Sequence, residues 1–363
     1  MLFESIKIGN LNISNRFVRS ATHEWLAEED GNPTSKIGDI YEELAKNEVG
    51  LIVTGYSYIS YEGKSAEKQQ GIHSDYLING YIPITKRIKN HYDSKLIIQL
   101  VHGGRQSLVT SSNPIPKAPS SVRDTSTNIK PQEMTEKDIY NTIDDFATAA
   151  KRAKKAGFDG VQLHCAHGFL LSSFLSAYTN RRNDQWGGSI KNRVRIIDLI
   201  VKKIRNLVGN DFPILVKLNA TDGFDIEKIP ESLDLPECVE IAKCLEDLGI
   251  AAIEISGGIF EAGDVMSQPN IDLKDKEAYF KKYSLAIKRE VNIPIILVGG
   301  IRSIDIMQQV INNKYADMIS MSRPFIVEPD LVKSLKNGIT KKTICTSCNL
   351  CFDRTGIKCN YEF

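Results

Sequence analysis

No Gly-x-Gly-x-x-Gly run occurs anywhere in the 363 residues, which removes the most specific sign of a doubly wound dinucleotide-binding sheet. Neither sign of charge is in excess: 46 Lys and Arg face 45 Asp and Glu, a formal net charge of +1. That balance speaks against nucleic acid or an anionic membrane as the main partner. Aliphatic runs such as 293–298 fall far short of the roughly 20 residues a bilayer span needs. The opening MLFESIKIGNLNISNRF lacks a basic-then-apolar secretory pattern, so cytosolic residence is the expectation. A low-complexity linker is missing as well, and with it the sign of a second domain. Cysteine is sparse in the body, where Cys165, Cys238 and Cys244 stand far apart. The other four of the seven, Cys345, Cys348, Cys351 and Cys359, crowd into the last nineteen residues. In a reducing compartment such clustering suggests metal chemistry more than disulfides.

What is present is ordinary globular composition, 42% apolar and 25% charged. Short β-branched runs recur at 16–20, 50–55, 95–101, 160–165, 214–218, 251–256, 293–298 and 318–321. Their near-continuous hydrophobicity suits parallel strands buried on both faces. Between them lie amphipathic stretches at 37–47, 76–91, 136–155, 192–207, 236–248, 274–289 and 304–312, several closed by a glycine such as Gly157 or Gly249. Eight β–α units in regular alternation predict a single (β/α)₈ TIM barrel over 1–340, with a short cysteine-rich tail over 341–363. The loop at about 103–135, rich in Ser, Pro and Asn, is long enough to suggest a functional one.

A barrel carries its active groups at the carboxyl ends of its strands. There the sequence reads Gln99-Leu-Val-His102-Gly-Gly-Arg105, His164-Cys-Ala-His167-Gly-Phe169, Lys217-Leu-Asn219, Ser256-Gly257-Gly258, Val298-Gly299-Gly300 and Ser320-Met-Ser322-Arg323. Three of the six histidines fall at these ends.

The segment LHCAHGFLLSSFLSAYTNRRNDQWGGSIKNRVR resembles the central motif of the old yellow enzyme family. NRFVRSAT, QLVHGGR, VKLNATDG, VGGIRS and ADMISMSRPFIVEPDL match that family in the same order, so the resemblance covers essentially the whole chain. It implies an FMN enzyme reduced by NADH or NADPH that then passes hydride, by ping-pong, to an electron-poor alkene or a nitro compound. Main-chain groups near Ser20, Ala21, Thr22 and Gly55 would line the flavin, with Gln99 on its pyrimidine edge. Lys217 would stabilise the charge developing there, where the family more usually has Arg. A buried lysine at a strand end serves equally to pair with a carboxylate. The pairs Gly257–Gly258 and Gly299–Gly300 with Arg323 would form the phosphate site, and Ser256 and Ser322 would also bind the cofactor. Either glycine pair alone is what a turn requires; the pairs together with Arg323 point to phosphate. His164 and His167 would aim imidazole donors at a carbonyl or nitro oxygen. Histidines at such spacing also occur as satisfied core residues or metal ligands, but no third ligand is apparent.

This sequence departs from the family at Phe169, where relatives that reduce enones usually have a proton-donating tyrosine. Solvent, Tyr56, Tyr58 or Tyr178 must then supply the proton, or the substrate does not need it. His23 stands where relatives often have Thr or Cys near the flavin, and Trp25 beside it would shape the pocket. Cys345-x-x-Cys348-x-x-Cys351 with Cys359 resembles the iron–sulfur motif of multidomain relatives, although the last spacing is shorter. A four-iron cluster, a zinc site and free thiols all remain open for it. Three readings follow: a flavin reductase of small molecules, often a homo-oligomer in that family; an iron–sulfur-linked flavin dehydrogenase or demethylase; and a degenerate barrel that binds flavin without turnover.

Overall fold

The computed structural model describes residues 1–362, and Phe363, the last residue of the tail, lies outside the described residues. Eight parallel strands close into a barrel. In chain order they are β1 (Phe17–Arg19), β2 (Leu51–Tyr58), β3 (Lys95–Val101), β4 (Gly160–Cys165), β5 (Ile214–Asn219), β6 (Ala252–Ser256), β7 (Ile295–Val298) and β8 (Met318–Met321). The ring shuts where β8 pairs with β1, Ile319 against Phe17 and Met321 against Arg19. Long helices cover it: α1 (Ser35–Lys46), α2 (Ile78–His91), α3 (Glu136–Lys155), α4 (Ile190–Val208), α5 (Leu235–Asp247), α6 (Lys281–Glu290) and α7 (Ile304–Asn312). A hairpin of Ile6–Ile8 and Leu11–Ile13 is sealed by Ile8 and Ile13, which cluster with inward Val18, Val53 and Ile97. The outer faces of the strands meet the helices in a second, larger core. Among the described residues no helix is long and apolar enough to cross a membrane.

Two elements differ from the sequence expectation. The run at 274–289 does not form one helix: a short turn at Lys274–Lys276 is followed by a break, and α6 starts only at Lys281. Glu277 causes the break. Its buried carboxylate accepts the amides of Arg302 and Ser303 and the Ser303 hydroxyl, so the chain is held down on the loop after β7. The strand expected at 50–55 continues instead to Tyr58, with an irregularity in pairing between Val53 and Tyr56. Beyond residue 342 the described tail contains neither helix nor strand and lies against the barrel, Thr343 N bonding Arg302 O and Ile357 N bonding Glu24 O.

Candidate active site

A polar network crosses the barrel interior at the carboxyl ends of the strands. Gln99 on β3 donates through Nε2 to Gln162 Oε1 on β4 at 2.7 Å, and Gln162 donates to Glu254 on β6 at 2.9 Å. Glu254 also accepts from Lys217 Nζ on β5 at 3.0 Å and from the Ser20 and Ser320 hydroxyls at 2.7 Å each. Lys217 Nζ reaches Ser20 Oγ at 2.8 Å. Burial alone would raise the Glu254 carboxyl. The Lys217 charge and the hydroxyl and amide donors outweigh it and hold that group below the usual carboxylate range. Lys217 therefore stands both at the expected strand end and in a carboxylate pair. Gln162 and Glu254 do not stand out among the strand-end residues of the sequence; an acid inside the apolar run AIEIS is the signal that marks Glu254.

On the open side of this layer stand aromatic and imidazole rings. His164 lies 5.1 Å from His167 and 4.8 Å from Phe169, centroid to centroid. Burial pulls both imidazoles well below their ordinary pKa, aided at His164 by His167 and then Lys217, and at His167 by Lys217, so both are neutral at pH 7. His164 Nδ1 accepts the Ala166 amide over a long 3.4 Å, which puts the remaining proton on Nε2. His167 has left-handed backbone, φ +65°, followed by Gly168 at +80°. That turn brings its amide to Asn219 Oδ1 and its Nε2 within 2.8 Å of Ser256 Oγ. Ser256, expected near the flavin, thus spends its hydroxyl on His167. Tyr56 closes the ring set, with centroids 5.4 Å from Phe169, 6.2 Å from His164 and 5.1 Å from His23. His23 packs on Trp25 at 4.0 Å, where Trp25 adopts φ +53°. Its Nε2 faces Glu67 O at 3.2 Å, and burial lowers its pKa to about 4.

The remaining expected residues divide. Just past the carboxyl ends of β1 and β8, Thr22 and Ser322 meet through their hydroxyls at 2.7 Å, with Ala21 between Thr22 and Ser20. Gly55 donates its amide to Glu24 and the Tyr41 hydroxyl, and a Cβ there would sit 2.1 Å from Glu24 Oε2. Cβ atoms at Gly299 and Gly300 would meet Tyr279 at 2.8 Å, at Gly257 Phe280 at 2.7 Å, and at Gly258 the Met266 amide at 2.6 Å. Close packing alone accounts for these four glycines. Arg323, beside them, bonds through Nη1 to Gln268 O, Ser347 O and Asn349 Oδ1. Cys345, Cys348, Cys351 and Cys359 line one small cavity together with Arg323. Among the described residues they do not form a group arranged to hold a metal ion. All seven cysteines are free thiols, and burial pushes Cys351 up to about 11.

Two features fit a flavin mononucleotide. Gln99 Oε1 is buried with no hydrogen-bond partner, an acceptor that a pyrimidine N–H satisfies. Arg323 has Nε and Nη2 without a protein partner, donors suited to a phosphate. The long loop is tied over the site: buried Arg105 pairs with Glu261, which also accepts from the hydroxyls of Tyr178 and Thr125.

The sequence profile of the NADH:flavin oxidoreductase / NADH oxidase family matches residues 1–342. The chain is 34% identical to an NADH oxidase of Thermoanaerobacter brockii over 352 residues, 96% of this chain and 53% of that protein. With an NADPH dehydrogenase of Clostridium acetobutylicum it shares 32% identity over 339 residues, 93% and 95% of the two chains. The structure superimposes on the old yellow enzyme homologue from Zymomonas mobilis with a TM-score of 0.78 at 28% identity, covering 96% of each. The chain therefore spans about half of one relative and nearly all of the others.

Proposed function

The chain belongs to the NADH:flavin oxidoreductase / NADH oxidase family, and from that premise we propose that it is an FMN-dependent NAD(P)H oxidoreductase reducing α,β-unsaturated carbonyl or nitro compounds. One observation carries the reading: two neutral imidazoles and an unpaired amide oxygen converge on one open barrel end. Bound FMN supplies the hydride acceptor and donor. Gln99 holds its pyrimidine edge, Lys217 adds positive charge tempered by Glu254, and Arg323 clamps the phosphate. His164 Nε2–H donates to the substrate oxygen, and the preorganised bond strengthens as negative charge gathers there. His167, with Nε2 engaged by Ser256, turns Nδ1 to the same oxygen. A nicotinamide and then the acceptor occupy this face in turn, so no separate dinucleotide fold is needed.

Phe169 cannot protonate the substrate. Of the three tyrosines weighed for that task, Tyr58 gives its hydroxyl to Asp30 O and Tyr178 to Glu261. Tyr56, which shares a side-chain hydrogen bond with Ser65, is the one that stands beside His164 and Phe169, and it is the proton donor in this reading. The test is an anaerobic titration with NADPH followed by 2-cyclohexenone. Bleaching of the flavin spectrum and its recovery with the enone are expected; bleaching without recovery rejects the enone as acceptor, and no flavin band after FMN is supplied rejects the reading.

The cavity shared by Arg323 and four cysteines supports a second reading, an iron–sulfur-linked dehydrogenase that passes single electrons onward. Stoichiometric iron and acid-labile sulfide in anaerobically prepared protein would favour it, and their absence counts against it. The free thiols suit a reducing cytosol.

A further inference from the structure

Arg323 stands between the flavin site and the cysteine tail, and its hydrogen bonds are lopsided. All three leave from Nη1: to Asn349 Oδ1 at 2.6 Å, Gln268 O at 3.0 Å and Ser347 O at 3.3 Å. The side chain is 8% exposed, yet Nε and Nη2 have no protein partner. Nε and Nη2 form the edge with which a guanidinium makes paired bonds to a phosphate. Tail and neighbouring loop thus grip one nitrogen and present the other two.

Asn349 is itself fixed. Its amide donates to Ser267 O at 2.8 Å, and its Oδ1 lies 3.2 Å from Ser267 Oγ. Ser347 and Asn349 hold left-handed backbone, φ +60° and +64°, a conformation that asparagine adopts readily and serine seldom. These two residues alternate with the thiols of Cys345, Cys348 and Cys351. The thiols line the cavity while Ser347 and Asn349 bind the arginine. The choice of an amide matters. An aspartate at 349 would also accept from Arg323, but it would neutralise the cation before a phosphate arrived. Asparagine orients the guanidinium and leaves its whole charge for the ligand.

We propose that Asn349 is a positioning residue for the cofactor, holding Arg323 with its free edge toward the flavin phosphate, so that the tail contributes to FMN affinity. The inference rests on the FMN reading above and gives the tail a role independent of what its thiols hold. It predicts a defect confined to the phosphate end of the cofactor.

The experiment titrates flavin-stripped protein with FMN and with riboflavin, which shares the ring system but lacks phosphate, reading flavin fluorescence. Wild type is expected to prefer FMN by roughly a hundredfold, and Arg323→Ala to lose that preference. Asn349→Ala should weaken FMN roughly tenfold and leave riboflavin within about twofold. Asn349→Asp should also weaken FMN selectively, although a merely structural role would tolerate it. In the Arg323→Ala background, Asn349→Ala should add nothing. The inference is overturned if both Asn349 variants bind FMN like wild type, or if riboflavin affinity falls in parallel. If Arg323→Ala itself keeps the preference for FMN, the phosphate assignment fails and the inference falls with it.

Discussion

Phe169 and Tyr56 share one patch of the site, 5.4 Å apart, and differ by the one atom that matters for a proton transfer. Tyr56 is partly buried, and burial pushes its hydroxyl far above the ordinary tyrosine range. Such a group keeps its proton until a stronger base, the carbanion-like carbon left by hydride delivery, is formed beside it. Tyr56→Phe is therefore expected to slow flavin reoxidation by an enone about a hundredfold, while reduction by NADPH changes less than about twofold. Stopped-flow absorbance separates the two half-reactions, and equal reoxidation rates would reject Tyr56 as the donor. The histidines are not equivalent either. Ser256 ties up His167 Nε2, whereas His164 Nε2 is free, so His164→Ala should cost more in reoxidation than His167→Ala. Both variants should retain FMN. Flavin loss from either, with normal enone kinetics in the remaining holoenzyme, would move the pair out of the substrate site.

β2 shows how an element is shaped by one side chain from outside it. Glu24, 1% exposed, pairs with Arg19 at 2.7 Å, accepts from Tyr41 and Gln70, and fills the space where a Cβ at residue 55 would lie. Gly55→Ala must expel that carboxylate from its buried partners, at a cost of about 3 kcal/mol or more. Denaturant unfolding measures it, and a variant as stable as wild type would show that Glu24 relocates freely. The order and type of the barrel elements were legible in the sequence because inward and outward faces of a parallel strand are both apolar, and glycines mark where helices stop. Candidate site residues could be picked out in the sequence because barrels gather active groups at strand ends. Contacts made at long range were not. Lys274–Arg289 has the amphipathic pattern of one helix, and only the need of residues 302 and 303 for the Glu277 carboxylate breaks it. Glu254 interrupts an apolar strand, and its four donors come from β4, β5, β8 and the end of β1. Asn349 looks like a spacer between cysteines until Arg323 is seen beside it.

At the scale of the whole molecule, the histidines govern the response to acid. Burial is the leading cause that lowers five of the six: His23, His73 and His102 to about 4, and His164 and His167 well below their ordinary value. Because their folded pKa lies beneath the unfolded one, the folded protein binds fewer protons between the two values. The stability they contribute is complete above about pH 6.5 and is lost as pH falls from there toward 4. Going from pH 7 to pH 5 should cost about 2 kcal/mol for each fully enclosed histidine. Asp145, raised to about 6 by burial, and Asp222, also raised by burial, work in the opposite direction but are fewer than the histidines. Denaturant midpoints at the two pH values test this, and an unchanged midpoint would contradict it. The closure of the ring has a further consequence, one of timing. Thr22 and Ser322 touch across 300 positions of sequence, and Arg323 follows at once. On the ribosome, the first-made wall of the cofactor pocket therefore waits for 300 further positions before it meets Ser322. Flavin cannot nucleate folding of such a pocket; it can only be admitted to a finished one, and quenching of its fluorescence should belong to the slowest phase of refolding.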